Sequence, residues 1–255
     1  MTGLPLITVA PNGARLQKAD HAGLPVSVPE VIAAAVACHA AGADAIHMHV
    51  RTEDGAHSLD TGLYREAIAG VVRAVPEMGI QVTTEAAGIY EVPAQLALLE
   101  DLRPGAASIA VRETARAPDL AGRVYATAAE AGTRVQHILY GTPCFEQLAG
   151  WFEAGVVPGD MRDALLVLGQ YTPPRAGAPD ELPPFVARAG AMGLRMTLGA
   201  FGAQEQACLL AAARLGWDLR VGFENNRTAP DGNEWPDNAA SVASLAAALK
   251  RECLR

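Results

Sequence analysis

Residues 41–51 read AGADAIHMHVR, and this stretch decides how the rest of the chain is read. Ala45 to Val50 is expected to be a strand. Alternation sends His47, His49 and Arg51 to one face, and Met48 and Val50 to the other, toward a helix layer. Residues two apart lie roughly 6.6 Å apart along a strand, so two imidazoles on one face can converge on one ion. Gly62 to Val75 follows with helical spacing. The stretch therefore opens a β-α unit with polar groups at the C-terminal end of its strand.

The same unit recurs outward in both directions. Strands are expected at Leu6–Ala10, Ile80–Thr84, Ala107–Val111, Arg134–Tyr140, Ala164–Leu168, Leu194–Leu198 and Leu219–Phe223. Helices are expected at Pro29–Ala41, Pro93–Leu102, Asp119–Ala131, Cys144–Ala154, Glu181–Met192, Ala203–Leu215 and Asn238–Arg251. Alternating strands and helices imply parallel pairing with right-handed crossovers. Eight such units in 255 residues favour the α/β class and a (β/α)8 TIM barrel, one domain over residues 1–255. The competing architecture is an open doubly wound sheet. Its usual GxGxxG after strand one is missing, because strand one runs into PNGAR. Thr172 to Pro184 is rich in Pro and Gly and reads as a long loop after strand six.

Composition narrows the function classes. Half of the residues are hydrophobic, enough for a large core. Twenty basic against 28 acidic residues give a net charge of −8, which argues against nucleic acid as a partner. Cys38, Cys144, Cys208 and Cys253 form no CxxC pair, so a thiolate zinc site is not expected and a reducing compartment suits them. The N-terminal MTGLPLITVAPNGAR lacks the pattern of a signal peptide. The longest apolar stretch, Val31 to Ile46, is interrupted by His39 and Asp44 and is too short to span a bilayer. A cytoplasmic protein with no membrane partner is expected.

A parallel barrel builds its active site at the C-terminal ends of its strands. Strand two contributes His47 and His49. Strand eight ends in GFENN and brings Glu224, with Arg220 four residues earlier on the same face. Two His and one Glu leave an open zinc position, as catalytic sites do. Read alone, Glu224 could equally be a buried salt-bridge partner. His21, His39, His57 and His137 are isolated, and His137 on strand five is the best spare ligand. Thr83, Thr84 and Glu85 end strand three, where hydroxyls suit a substrate carboxylate or simply close a turn. Ser108 and Arg112 stand near the end of strand four. Arg112 could clamp a carboxylate in bidentate fashion or serve in a surface salt bridge. Asn12 and Arg15, after strand one, line the same mouth, as do Asn225 beside Glu224 and Arg51 after the histidines, and Asn12, Arg51 and Asn225 are expected to bind substrate.

These motifs together resemble the β-keto acid cleavage enzymes, the family of the 3-keto-5-aminohexanoate cleavage enzyme. The anchors are APNGA after strand one, AGADAIHMHVRTEDG around strand two, QVTTEAAG at strand three, GAFGAQ after strand seven and RVGFENN at strand eight. The resemblance covers nearly the whole chain. It implies a TIM barrel with bound Zn2+, an oligomer that is typically a tetramer, and a β-keto acid and acetyl-CoA as substrates. The implied products are acetoacetate and a new CoA thioester. By motif, His47, His49 and Glu224 match the zinc ligands, and Arg220 matches the catalytic arginine. Thr83 and Thr84 fall where a strand-three hydroxyl holds the substrate carboxylate. Three positions depart from the family pattern. Asn225 replaces the usual Asp, Glu85-Ala86-Ala87-Gly88 replaces the usual glycine-rich turn, and Ala110 replaces a polar residue. The chain reads as a divergent branch.

The chemistry needs a base to remove a proton from the carbon between the two carbonyl groups. Arg220 is a poor one. Deprotonating a guanidinium of pKa about 12.5–13.8 at pH 7 would cost roughly 7–9 kcal/mol. Arg220 is better suited to stabilising charge. Asn225 cannot accept the proton usefully, so Glu85 is the expected base. Its alternative role is as a charge partner of Arg51 or Arg112. Two other activities fit the same residues. One is a zinc-dependent hydrolase or aldolase that needs no CoA, and the other is a non-catalytic small-molecule-binding barrel.

Overall fold

The computed structural model describes residues 4–255; the first three residues of the expected 1–255 domain and of the N-terminal stretch lie outside the described residues. In chain order the elements are β1 (Ile7–Val9), α1 (Val28–Ala40), β2 (Ala45–Met48), β3 (Val50–Arg51), β4 (His57–Ser58), α2 (Thr61–Ala74), β5 (Gly79–Thr83), α3 (Val92–Leu102), β6 (Ala106–Ala110), α4 (Val111–Thr114), α5 (Pro118–Ala131), β7 (Arg134–Leu139), α6 (Thr142–Glu153), β8 (Asp163–Leu168), α7 (Pro183–Ala191), β9 (Arg195–Ala200), α8 (Glu205–Arg214), β10 (Asp218–Val221) and α9 (Asn238–Arg251). Eight strands close into a barrel in the order β1-β10-β9-β8-β7-β6-β5-β2, and every neighbouring pair is parallel. This is the (β/α)8 barrel expected from the alternation.

Local chemistry explains why the helices begin where they do. Glu30 accepts from the backbone N–H of Ser27 at 2.9 Å, closing the first turn of α1. Asp60 accepts from Leu63 N at 2.8 Å before α2, and Asp237 from Ala240 N at 2.8 Å before α9. All six residues of β8 are buried, as befits a parallel strand covered on both faces. The main apolar core lies between strands and helices. A second, smaller cluster of Ala110, Ile138, Leu165, Val167 and Phe201 fills the upper barrel interior.

Most element boundaries shift by one or two residues from expectation; four differences matter here, and three of them shape the site. Strand two stops at Met48. The Asn12 amide bonds to both backbone groups of His49, donating to its oxygen at 3.0 Å and accepting from its N–H at 3.4 Å. Val50 and Arg51 then pair antiparallel with Ser58 and His57. The last strand ends at Val221, because Gly222 has φ +136° and a Cβ there would sit 2.5 Å from the Ala10 carbonyl. Glu224 is therefore presented from a turn. Strand four ends at Ala110, and Arg112 rides on the short helix α4. The expected Glu181–Met192 helix divides into a 3-10 turn at Pro179–Glu181 and α7, since Pro183 starts a helix readily.

Among the described residues, no helix is long and apolar enough to cross a membrane. All four cysteines are free, three of them buried.

Candidate metal centre

His47, His49 and Glu224 meet at the C-terminal mouth of the barrel, their ligand atoms all within 4.8 Å of one another. His47 Nε2 and His49 Nε2 are 3.2 Å apart. Glu224 Oε2 lies 3.4 Å from His49 Nε2 and 3.7 Å from His47 Nε2. All three side chains are buried. Strand alternation delivers the histidines, although the ladder breaks between them. Glu224 is admitted because Gly13, at φ +59°, brings the strand-one loop against it. A Cβ on Gly13 would lie 2.6 Å from Glu224 Cγ.

The protonation state suits a cation. His47 Nδ1 donates to Gln81 Oε1 at 2.8 Å, which leaves Nε2 as a bare lone pair. Gln81 Nε2 in turn donates to Gln136 Oε1 at 3.2 Å, and Gln136 Nε2 to Thr197 Oγ1 at 2.9 Å. Burial pushes the His47 and His49 pKa values down to about 4 and about 3, so both imidazoles are neutral at pH 7. Burial alone would push the Glu224 carboxyl up. Arg220, His49 and His47 outweigh it and hold the group well below the usual carboxylate range. The decisive observation is Glu224 Oε2, a buried carboxylate oxygen with no hydrogen-bond partner. Such an atom costs several kcal/mol unless an ion or donor meets it, on the order of the penalty for an unpaired buried charge. The donor set fits a divalent cation of the zinc type.

Arg220 completes the inner wall. Its Nη2 donates to Glu224 Oε1 at 3.1 Å and to Asn225 Oδ1 at 3.0 Å, while Nε and Nη1 are buried without partners. Asn225 Nδ2 and Ser108 Oγ are also buried and unpartnered. Glu205 of α8 braces the turn that carries Glu224, accepting from Gly222 N and Asn226 Nδ2. A cavity of about 130 Å³ opens beside the cluster and is lined by Glu85, Arg220, Glu224, Asn225, Arg112 and Arg15, among others. A larger one of about 410 Å³ adjoins it past Tyr171 and Phe201, and reaches Arg175 and Arg227.

Glu85 stands at the cavity wall with Oε2 3.9 Å from His49 Nδ1. Burial, then the nearby Glu224 and Glu113 charges, raise its pKa to about 7. Its ion-pair partner is Arg15, at 3.5 Å, and not Arg51 or Arg112. Thr83 and Ser108 are register partners on adjacent strands. Thr83 Oγ1 accepts from Glu85 N at 2.9 Å.

Three expected substrate contacts are occupied otherwise. Arg51 is buried and gives its N–H groups to the carbonyls of Gly13, Leu16 and Gly55, so it ties two loops together and does not face the cavity. Asn12 holds the His49 backbone, so it positions a histidine. The Thr84 hydroxyl donates to the Ser108 carbonyl at 2.9 Å. His137 bonds Met161 O and the Tyr125 hydroxyl, away from the cluster. His57, by contrast, comes within 5.2 Å of His49 between ring centroids and bonds the Glu85 carbonyl. Sequence reading passed over Gln81, whose signal was a lone amide inside an apolar strand. It also passed over Tyr171, which donates to the Glu224 carbonyl from a loop with no local signal.

An eight-stranded parallel barrel with two histidines and a carboxylate converging at its mouth is an architecture of metal-assisted barrel enzymes. The chain belongs to the beta-keto acid cleavage enzyme family, whose model matches residues 5–253. It is 34% identical to the 3-keto-5-aminohexanoate cleavage enzyme of Fusobacterium nucleatum over 79 residues, 31% of this chain and 29% of that protein. It is 30% identical to the 3-oxoadipate:acetyl-CoA acetyltransferase of Cupriavidus necator over 110 residues, 43% of this chain and 38% of that one. The matched stretches thus span less than two-fifths of these relatives. Among solved structures, ObcA bound to oxaloacetate superposes with a TM-score of 0.73 at 15% identity, over 91% of this chain and 64% of ObcA. The 3-dehydroquinate dehydratase of Geobacillus kaustophilus superposes at 0.60 with 12% identity, over 97% of this chain and 91% of its own. Both likenesses are of the barrel fold.

Proposed function

We propose that this chain is a zinc-dependent acyltransferase that reacts a β-keto acid with acetyl-CoA to give acetoacetate and a new CoA thioester. The observation that carries the reading is the buried Glu224 Oε2, without a hydrogen-bond partner, facing the Nε2 atoms of two neutral imidazoles beside a cavity. The substrates follow from family membership and from the acetyl-CoA named in the Cupriavidus relative.

His47, His49 and Glu224 would hold the metal, which supplies Lewis-acid polarisation of the keto oxygen. Glu85 removes the proton from the carbon between the carbonyls, and a pKa near 7 matches that task. The free Nε–H and Nη1–H of Arg220 and the Asn225 amide point as donors toward the charge that develops. Ser108 and Thr83 hydroxyls hold the substrate carboxylate. The acetyl group then accepts the carbanion and CoA thiolate leaves. That thiolate attacks the original keto carbon, and the carbon–carbon bond breaks to release acetoacetate. The proton held by Glu85 returns to the acetoacetate carbon. The larger cavity, with Arg175 and Arg227 at its rim, accommodates the thioester arm. A cytoplasmic tetramer is part of the same proposal.

The test is metal analysis of the purified protein, followed by a panel of β-keto acids incubated with acetyl-CoA and with water alone, read by mass spectrometry. Acetoacetate formed only with acetyl-CoA, and lost in His47→Ala, supports the proposal. Turnover without any CoA ester would move the chain to hydrolase or aldolase chemistry, and full activity without metal would overturn the zinc site.

A further inference from the structure

The 130 Å³ cavity is lined by an arginine that no carboxylate of the described residues answers. Three arginines line it, Arg15, Arg112 and Arg220, against two carboxylates, Glu85 and Glu224. Arg220 and Glu224 answer each other at 3.1 Å. Arg15 meets Glu85 at a loose 3.5 Å. Arg112 is different. Among the described residues it forms no ion pair, and its neighbour Glu113 looks away, bonding Ala86 N and Gln95 Nε2. Its guanidinium carbon lies over the Tyr140 ring, 3.4 Å from the centroid, and that of Arg15 lies 5.3 Å from the Tyr171 centroid. Both tyrosines line the cavity, and the Tyr140 ring supports Arg112 without supplying a full counter-charge.

We propose that the β-keto acids this chain takes carry a second carboxylate at the end of the tail, received by Arg112 with help from Arg15. The inference rests on the β-keto acid reading above and adds the chemistry of the R group. The keto and carboxylate head lies against Arg220 and the proposed metal ligands, and the tail extends toward the rim. A neutral tail would cover Arg112 and strip its water without replacing it, which is unfavourable for a charged group. An ammonium tail would meet two guanidinium groups and be repelled. A carboxylate accepts two parallel hydrogen bonds from a guanidinium. The helix α4 boundary at Ala110 is what places Arg112 at the rim, where an unbroken strand would send it elsewhere.

The experiment is titration calorimetry of the metal-loaded protein, without acetyl-CoA, using 3-oxoadipate, 3-oxohexanoate and a β-keto acid with an ammonium tail. The expected result is at least tenfold tighter binding of 3-oxoadipate than of 3-oxohexanoate, with the ammonium acid weakest. Arg112→Gln should narrow that ratio by tenfold or more, and Arg112→Lys should restore part of it. Equal or reversed affinities in the unsubstituted protein would overturn the proposal whether or not the variants fold. So would a ratio that Arg112→Gln leaves unchanged. The same acids with acetyl-CoA separate the two ideas. A binding preference without turnover removes the acyltransfer reading and keeps the anionic tail, and turnover without preference does the reverse.

Discussion

Below the two histidines the barrel interior is saturated, and above them it is not. On the lower side His47, Gln81, Gln136 and Thr197 satisfy one another in a chain drawn from four strands, β2, β5, β7 and β9. On the upper side Arg220 Nε and Nη1, Asn225 Nδ2, Ser108 Oγ and Glu224 Oε2 are buried with nothing to bond. Buried polar groups in folded proteins are nearly always paired. The contrast divides the barrel into a scaffold half, complete in itself, and an upper half whose polar atoms lack partners among the described residues, as the proposed metal and substrate site requires. Perturbing the upper half should therefore cost activity, and perturbing the lower half should act through the position of His47.

The largest effect is expected from the ligands. His49→Ala should abolish metal retention and turnover together, measured by elemental analysis and acetoacetate release. Glu85→Gln comes next, with kcat down by about 10²–10⁴, the range for a lost general base. In the unsubstituted enzyme activity should rise with pH as Glu85 ionises. The acid limb belongs at or below about 7, because a bound cation favours the carboxylate. That limb should vanish in Glu85→Gln, and an unchanged limb would assign the base elsewhere. Arg220→Gln should lower kcat by about 10²–10³, as loss of a charge-stabilising donor does.

The lower half gives smaller effects. Gln81→Leu removes the acceptor that fixes the His47 tautomer and should weaken metal affinity by about 10–100-fold in a chelator competition. Gln81→Glu, which keeps the acceptor, should retain it. The smallest effect concerns Glu205, whose pKa burial raises to about 8. The folded protein then keeps a proton that the unfolded chain releases near 4.5. Stability from this group is full below about pH 4.5 and falls as pH rises toward about 8. Glu205→Gln should flatten that slope in urea melts at pH 5 and pH 8.

The same division governs how much was legible in the sequence. The eight β-α units were legible because apolar runs and helical spacing are local signals. His47, His49 and Arg220 were legible because strand alternation points them to one face, and Glu224 was legible from its place after the last strand and from the family motif, although the turn at Gly222 and not alternation presents it. The break after Met48 was not, since Val50 continues the alternation and the break is imposed by Asn12 from 37 residues away. Arg51 follows from it: a residue expected to face the substrate turns instead into a bracket of carbonyls. Gln81 was hidden for another reason. Its role depends on which strands become neighbours around the closed barrel, and only the register pairing His47 with Gln81 reveals it.

The zinc site itself is tested most directly by diffraction at the zinc edge from crystals of the metal-loaded protein. One anomalous peak is expected, bounded by His47 Nε2, His49 Nε2 and a Glu224 carboxylate oxygen. A fully active protein with no peak there, or with its peak at another cluster, would contradict it.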